Sequence, residues 1–227
     1  MLASELISDT IPSIKSTDTV ERVLNWMGEF KVTKLPVVVK QKFWGIVRES
    51  ELFDALDEDM TIAELLEMEG DILSEEGKKY AILGSHHFYD VLAQMGKFQL
   101  EILPVIDEDR NYLGLITAAD VAFHAGELFA VHEEGSIIVM ETLQNHYLLA
   151  EVGRIVEAAN AQVLSLYVRQ LPDSAKVWIT FKINVLNPEK VIALFERHHY
   201  TFISSYQQEE ENNDYKRNLT ALMRMLD

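Results

Sequence analysis

One spacing constrains this chain more than any other feature. Val23-Leu24-x-x-Met27-Gly28-x-Phe30, followed by Leu35-Pro36-Val37, returns 68 residues later as Val91-Leu92-x-x-Met95-Gly96-x-Phe98 and Leu103-Pro104-Val105. Eight identities at one constant offset point to two copies of the same structural unit. After Leu-Pro-Val the register slips by one residue, so Gly45-Ile46-Val47 answers Gly114-Leu115-Ile116. The slip falls in polar stretches, Lys40 to Lys42 and Asp107 to Asn111, where a hairpin turn tolerates an extra residue. Two copies are too few for a solenoid and imply one domain made of two halves.

Each copy has the same local pattern. Val20, Val23, Leu24 and Met27 recur at helical spacing, and Gly28 stands where a helix C-cap belongs; Phe88, Val91, Leu92, Met95 and Gly96 repeat this. Leu35 to Val39 and Leu103 to Ile106 are short β-branched runs, each followed by a polar turn and a second run, Phe43 to Val47 or Tyr112 to Ile116. Short helices close the copies, Glu49 to Leu56 and Ala118 to His124, and Lys79 to Leu83 is expected to add a strand leading the second copy. Pro36 and Pro104 are expected at strand starts, because proline cannot donate to a ladder.

From Ser136 the rhythm changes. Ser136 to Thr142 is a strand candidate, and Leu148, Leu149, Val152, Ile155, Val156 and Ala159 mark an amphipathic helix. Val163 to Arg169 and Val177 to Val185 alternate at period 2 around the turn signal Pro172-Asp173-Ser174. Asn187-Pro188-Glu189 opens another helix, and Tyr200 to Tyr206 is a last strand. The order βαββαβ is ferredoxin-like. Beyond a polar, acidic stretch from Gln207 to Asp214, Tyr215, Leu219, Leu222, Met223 and Leu226 fall on one helical face. That face suits either docking on its own domain or an oligomer contact.

The doubled order of helix, Leu-Pro-Val strand, turn, Gly-hydrophobic-hydrophobic strand and closing helix resembles the CBS domain, which occurs as tandem pairs. The βαββαβ segment behind such a pair resembles an ACT domain, and the whole is similar to acetoin-utilisation-type CBS-CBS-ACT proteins. The expected fold is α/β (α+β): a tandem CBS pair at 1–130, with copies at about 1–57 and 58–130, then an ACT-like domain at 136–206 and a tail at 207–227. The resemblance implies a homodimer. ACT domains often bind amino acids through a glycine between first strand and first helix. Here that position is Gln144-Asn145-His146-Tyr147. The departure favours a dimerisation element over an amino-acid sensor.

Charge narrows the partners. The chain of 227 residues carries a net −17, and residues 1–134 hold 26 acids against 11 bases while 135–227 hold 11 against 9. Between Glu49 and Gly77 there are 12 acids and no base. Such a surface repels a phosphate backbone, so no nucleic-acid partner is expected. It serves either solubility or docking of a basic protein. With no cysteine there is no disulfide, thiol nucleophile or thiolate metal site. No apolar run is long enough to span a membrane, and Met1 to Thr10 lack the basic residue of a secretory signal. A cytoplasmic protein is the expectation.

Chemistry concentrates in one motif. In the CBS family Gly-h-h-[Ser/Thr]-x-x-Asp binds the ribose of an adenosine ligand, and Gly114-Leu115-Ile116-Thr117-Ala118-Ala119-Asp120 matches it. The resemblance makes Thr117 and Asp120 the ribose contacts beside Ile116. Tyr80, Ala81, Ile82, Ile102, Leu103 and Pro104 would be the apolar walls. A carboxylate suits two cis hydroxyls, since charge-assisted hydrogen bonds outweigh neutral ones. The same Thr-x-x-Asp is also a helix capping box that needs no ligand; the two roles are compatible. In the first copy Arg48 and Glu51 replace Thr and Asp, so that site should be empty or filled by the Arg48 side chain, paired with Glu51. Bases near the second site are few: Lys78, Lys79, Lys97 and Arg110. AMP or a weakly charged adenosyl compound such as S-adenosylmethionine therefore fits better than ATP, and ADP stays among the possible ligands. The pairs His86-His87 and His198-His199 lack metal-ligand spacing. There is no Gly-x-Ser-x-Gly, Walker or Rossmann motif. The expectation is a non-catalytic regulator acting on an unknown protein target, or a ligand-free scaffold.

Overall fold

The computed structural model describes residues 1–53, 59–68 and 80–208. Two compact units divide the chain, Met1–His124 and Ala125–Asp227. In the first unit the repeat becomes two three-stranded sheets, β1 (Ile14–Lys15), β2 (Lys34–Val39) and β3 (Lys42–Arg48), then β4 (Ile82–Leu83), β5 (Ile102–Ile106) and β6 (Tyr112–Thr117). In each sheet the middle strand pairs parallel with the short leading strand and antiparallel with its hairpin mate. The helices are α1 (Val20–Phe30), α2 (Glu49–Phe53), α3 (Ile62–Met68), α4 (Phe88–Phe98) and α5 (Ala118–Leu128). The mixed α+β fold read from the repeat is the observed one.

The details correct several local expectations. Gly28 and Gly96 are not helix ends: α1 and α4 run past them and terminate at Lys31 (φ 54°) and Gln99 (φ 50°), both left-handed. The amides of Val32 and Leu100 then close on Met27 and Met95 at 3.0 Å, the Schellman bond that ends a helix without glycine. Pro36 and Pro104 lie third in their strands, not first. They are tolerated because the leading strand pairs only from the next residue, Ile14 with Val37 and Ile82 with Val105, leaving proline beyond its end. The first copy has a leading strand too. Helix α5 extends to Leu128. Leu56, Lys78, Lys79, residues 69–77 of the acidic stretch and the helical face from Tyr215 to Leu226 lie outside the described residues.

The one-residue slip is a difference of turn. Lys40 and Gln41, both left-handed (φ 49° and 67°), make the two-residue turn of the first hairpin. Glu108, Asp109 and Arg110 (φ 63°) make a three-residue turn in the second, with the Asp107 amide donating to the Asn111 carbonyl at 3.0 Å. Both hairpins carry the same bulge, between Val37 and Val38 and between Val105 and Ile106.

The leading segments cross over. Residues 60–65 pack on the first copy, where Val20 N–H donates to Met60 O (3.0 Å) and Ile62 and Leu65 join the core of Ile14, Val23, Met27 and Leu35. Residues 1–8 do the same for the second copy: Phe88 N–H donates to Met1 O (3.1 Å) and Ser8 N–H to Leu115 O (2.9 Å). Neither half is therefore complete by itself.

The second unit is a four-stranded antiparallel sheet in the order β10-β7-β9-β8, from β7 (Gly135–Leu143), β8 (Val163–Gln170), β9 (Lys176–Ile183) and β10 (Thr201–Gln208). Helices α6 (Leu149–Ala158) and α7 (Glu189–Arg197) complete a ferredoxin-like βαββαβ. Alternate sheet residues Ile138, Met140, Ile179, Phe181 and Ile183 form one core with Val152, Ile155, Val191 and Phe195 of the helices. The Gln144 to His146 stretch is a short 3-10 turn, and the residue before α6, Leu148, offers no side-chain cap.

Candidate functional site

Strand β6 delivers Thr117 to the start of α5, and one turn later the helix returns Asp120 to it. Thr117 Oγ1 accepts the Asp120 amide at 3.1 Å, while Asp120 Oδ2 accepts both the Thr117 amide (2.8 Å) and its hydroxyl (2.6 Å). This is a complete capping box. Both bonds to the carboxylate fall on Oδ2; among the described residues Oδ1 takes no hydrogen bond. Thr117 and Asp120 are both half-buried.

The first copy reproduces the backbone part and fills the rest. The Arg48 amide donates to Glu51 Oε2 at 2.7 Å, and the Arg48 guanidinium lies 3.4 Å from Oε1. Both carboxylate oxygens are engaged, the second by the arginine that replaces Thr117. The pairing read from the sequence is present.

The apolar residues divide into two groups. Ile102 pairs with Thr117, Leu103 with Ile116 and Pro104 with Leu115 across the hairpin. Ile102, Leu103 and Ile116 are fully buried, Ile82 nearly so, and Pro104 is buried as well, so these side chains are not accessible walls. Tyr80 and Ala81 are half-buried and pack on a small cluster that includes Phe43 and Ile46 of the first copy. Of the residues named from the sequence, Tyr80, Ala81, Thr117 and Asp120 are the half-buried ones. Of the bases named from the sequence, Lys97 lies over the Phe98 ring at 5.1 Å and Arg110 over the Phe43 ring at 5.9 Å.

Two interactions across the repeat were not foreseen. The amide of Phe43 donates to Arg110 O (3.0 Å), and its repeat mate Tyr112 donates to Gln41 O (2.8 Å). Burial pushes the Tyr112 phenol above its ordinary range. At the other end, Thr33 N–H and Oγ1–H both reach the Glu101 carboxylate, at 2.8 Å and 3.1 Å. Thr33 and Glu101 are themselves repeat mates at the offset of 68.

Other concavities lie elsewhere. A cavity of about 340 Å³ is bordered by Leu2, Leu83, Gly84, Ile106 and Leu113 and does not include Thr117 or Asp120. In the second unit a cavity of about 240 Å³ borders Tyr167, Ser165 and Lys182. Lys182 is buried, its Nζ donates to Ala130 O at 2.7 Å, and burial lowers its pKa. Among the described residues no three His, Asp or Glu side chains converge on a metal-sized site. His198 instead faces Glu151 at 3.3 Å, and His87 caps α4 by accepting the Tyr89 amide. No described helix is long and apolar enough to cross a membrane.

Residues 3–58 match the family model of the CBS domain, and the second copy repeats the element order of the first. A curated relative, inosine-5'-monophosphate dehydrogenase of Korarchaeum cryptofilum, is 26% identical over 136 residues. That match takes in 58% of this chain but spans only 25% of the relative. A solved CBS domain pair/ACT domain protein from Thermotoga maritima is 20% identical with a TM-score of 0.47, covering 56% of this chain and 98% of that one. The structure of CBSX2 in complex with AMP is 21% identical with a TM-score of 0.42, covering 56% and 96%.

Proposed function

We propose that this CBS-domain protein is a non-catalytic regulator that reads an adenosine-containing metabolite at Thr117 and Asp120, once per chain. The observation that carries the reading is the state of the two carboxylates. Asp120 keeps Oδ1 without a hydrogen bond among the described residues, whereas Glu51 has both oxygens engaged. A half-buried carboxylate oxygen held by its helix start suits a ribose hydroxyl, and such a charge-assisted bond is worth about twice a neutral one. Tyr80 and Ala81 would border the base. With few bases against many acids in this half of the chain, AMP or S-adenosylmethionine suits the site better than ATP. The ferredoxin-like unit is read as the assembly element of a homodimer, in a cytoplasmic protein whose target is another protein.

A ligand-free scaffold is the second reading, favoured by the capping box being complete without any ligand. In it the acidic surface docks a basic partner. Titration calorimetry of the full chain with AMP, ADP, ATP and S-adenosylmethionine separates the two. Asp120→Asn keeps an oxygen for the cap but puts an amide in place of Oδ1, and should weaken binding about tenfold or more. Glu51→Gln should leave affinity unchanged. Equal effects of the two substitutions would overturn the site, and no heat with any of the four would leave the scaffold.

A further inference from the structure

Thr33 and Glu101 occupy the same place in the two copies, yet they differ. Two identical residues meeting there would be two carboxylates in repulsion or two hydroxyls. Instead one copy supplies donors and the other an ionised acceptor, and the charge-assisted contact joins the halves.

What each residue does with its own carbonyl is the informative part. Thr33 O accepts the Glu49 amide at 2.9 Å, at the first residue of α2. Glu101 O accepts the Ala118 amide at 2.9 Å, at the first residue of α5. Four residues therefore form one chain of bonds, Glu49 to Thr33 to Glu101 to Ala118, linking the starts of the two closing helices. Arg48 and Glu51 surround one end, Thr117 and Asp120 the other.

We infer that Glu101 is a positioning residue for the Thr117–Asp120 site and that, through Thr33, it ties the start of α5 to the start of α2. A shift of Ala118 at the second site is passed to Glu49 without passing through either hydrophobic core. The functional meaning rests on the Asp120 reading, but the physical link does not.

Amide hydrogen exchange on the full chain without ligand tests the link. In Glu101→Ala the Glu49 amide, which Glu101 does not touch, should exchange about tenfold faster. The Ile62 amide, bonded to Asp18 O in the same copy, should not change. Thr33→Val, which removes only the hydroxyl, should give a smaller rise, and Thr33→Ser should restore the original rate. This series keeps the test open if Glu101→Ala fails to fold. An unchanged Glu49 amide in Glu101→Ala, or in Thr33→Val if the former does not fold, would overturn the link. So would an equal rise at Ile62, which would report general loosening. AMP titration of Glu101→Ala is then compared with the original chain. Absence of AMP binding in the original chain counts against the adenosine reading, not against the link. Binding in the original chain that Glu101→Ala leaves unchanged would overturn the positioning role.

Discussion

The two copies share a core and differ at their sites. Val23 and Val91, Leu35 and Leu103, and Val37 and Val105 are all fully buried. The residues at the helix starts have diverged, to Arg48 with Glu51 in one copy and Thr117 with Asp120 in the other. Buried positions are held by packing, where a lost methylene is felt at once. The helix starts need only an acceptor for one backbone amide, which Glu51 and Asp120 both provide. The rest of each side chain is free to take on other work.

The largest expected effects test the shared part. Leu35→Ala and Leu103→Ala should each destabilise the protein by about 2–5 kcal/mol in denaturant unfolding. A loss at one position with no effect at the other would break the equivalence of the copies. Smaller effects sharpen the difference. Thr117→Ala removes the acceptor for the Asp120 amide and should cost about 0.5–2 kcal/mol. Arg48→Ala removes a half-exposed ion pair and should cost less, about 0–1 kcal/mol. The reverse order in thermal unfolding would mean that the Arg48–Glu51 pair, not the Thr117 cap, is the stronger helix start.

The smallest effect concerns the turns. The side-chain amide of Asn111 holds the Asp107 carboxyl below its ordinary value, and the Asn111 and Asp109 amides add to this. A depressed carboxylate contributes stability that is complete above its unfolded value near 3.8 and is lost as pH falls through the lower folded value. On acidification the second hairpin turn should therefore loosen below about pH 4. The first, Lys40-Gln41, has no carboxylate of its own and should respond less, through the Lys42–Asp109 and Phe43–Arg110 bonds that join the two turns. Amide chemical shifts of Asn111 and Lys40 followed from pH 6 to about pH 2.5 check this; an equal movement of both would remove the distinction.

Much of the fold was legible because the repeat occurs in one chain. Val23, Met27, Leu35 and Val37 have mates at a fixed distance, so the pattern of core positions was read twice. The ferredoxin-like order was legible from alternation along β9 and the helical spacing of α6. Less legible were the helix ends, since Lys31 and Gln99 adopt a left-handed conformation that composition suggested for Gly28 and Gly96. The short β1, Ile14–Lys15, escaped because it has no apolar run like the Tyr80 to Leu83 stretch that announced β4. The Thr117–Asp120 capping box and the Arg48–Glu51 pair were readable from spacing, whereas an adenosine site there was only what the resemblance implied. The burial of Ile102, Leu103 and Ile116 was not, because which face of a strand is covered depends on what packs over it.

By itself the sequence determined the doubling, the order of elements and the chemical difference between the copies, because these rest on local spacing and side-chain type. Only the tertiary structure decided that residues 1–8 complete the second copy and residues 60–65 the first. It alone brought Thr33 against Glu101 and left one oxygen of Asp120 without a hydrogen bond among the described residues. Such contacts join residues tens of positions apart, and no local pattern encodes them; they form when buried apolar surface brings the two halves together.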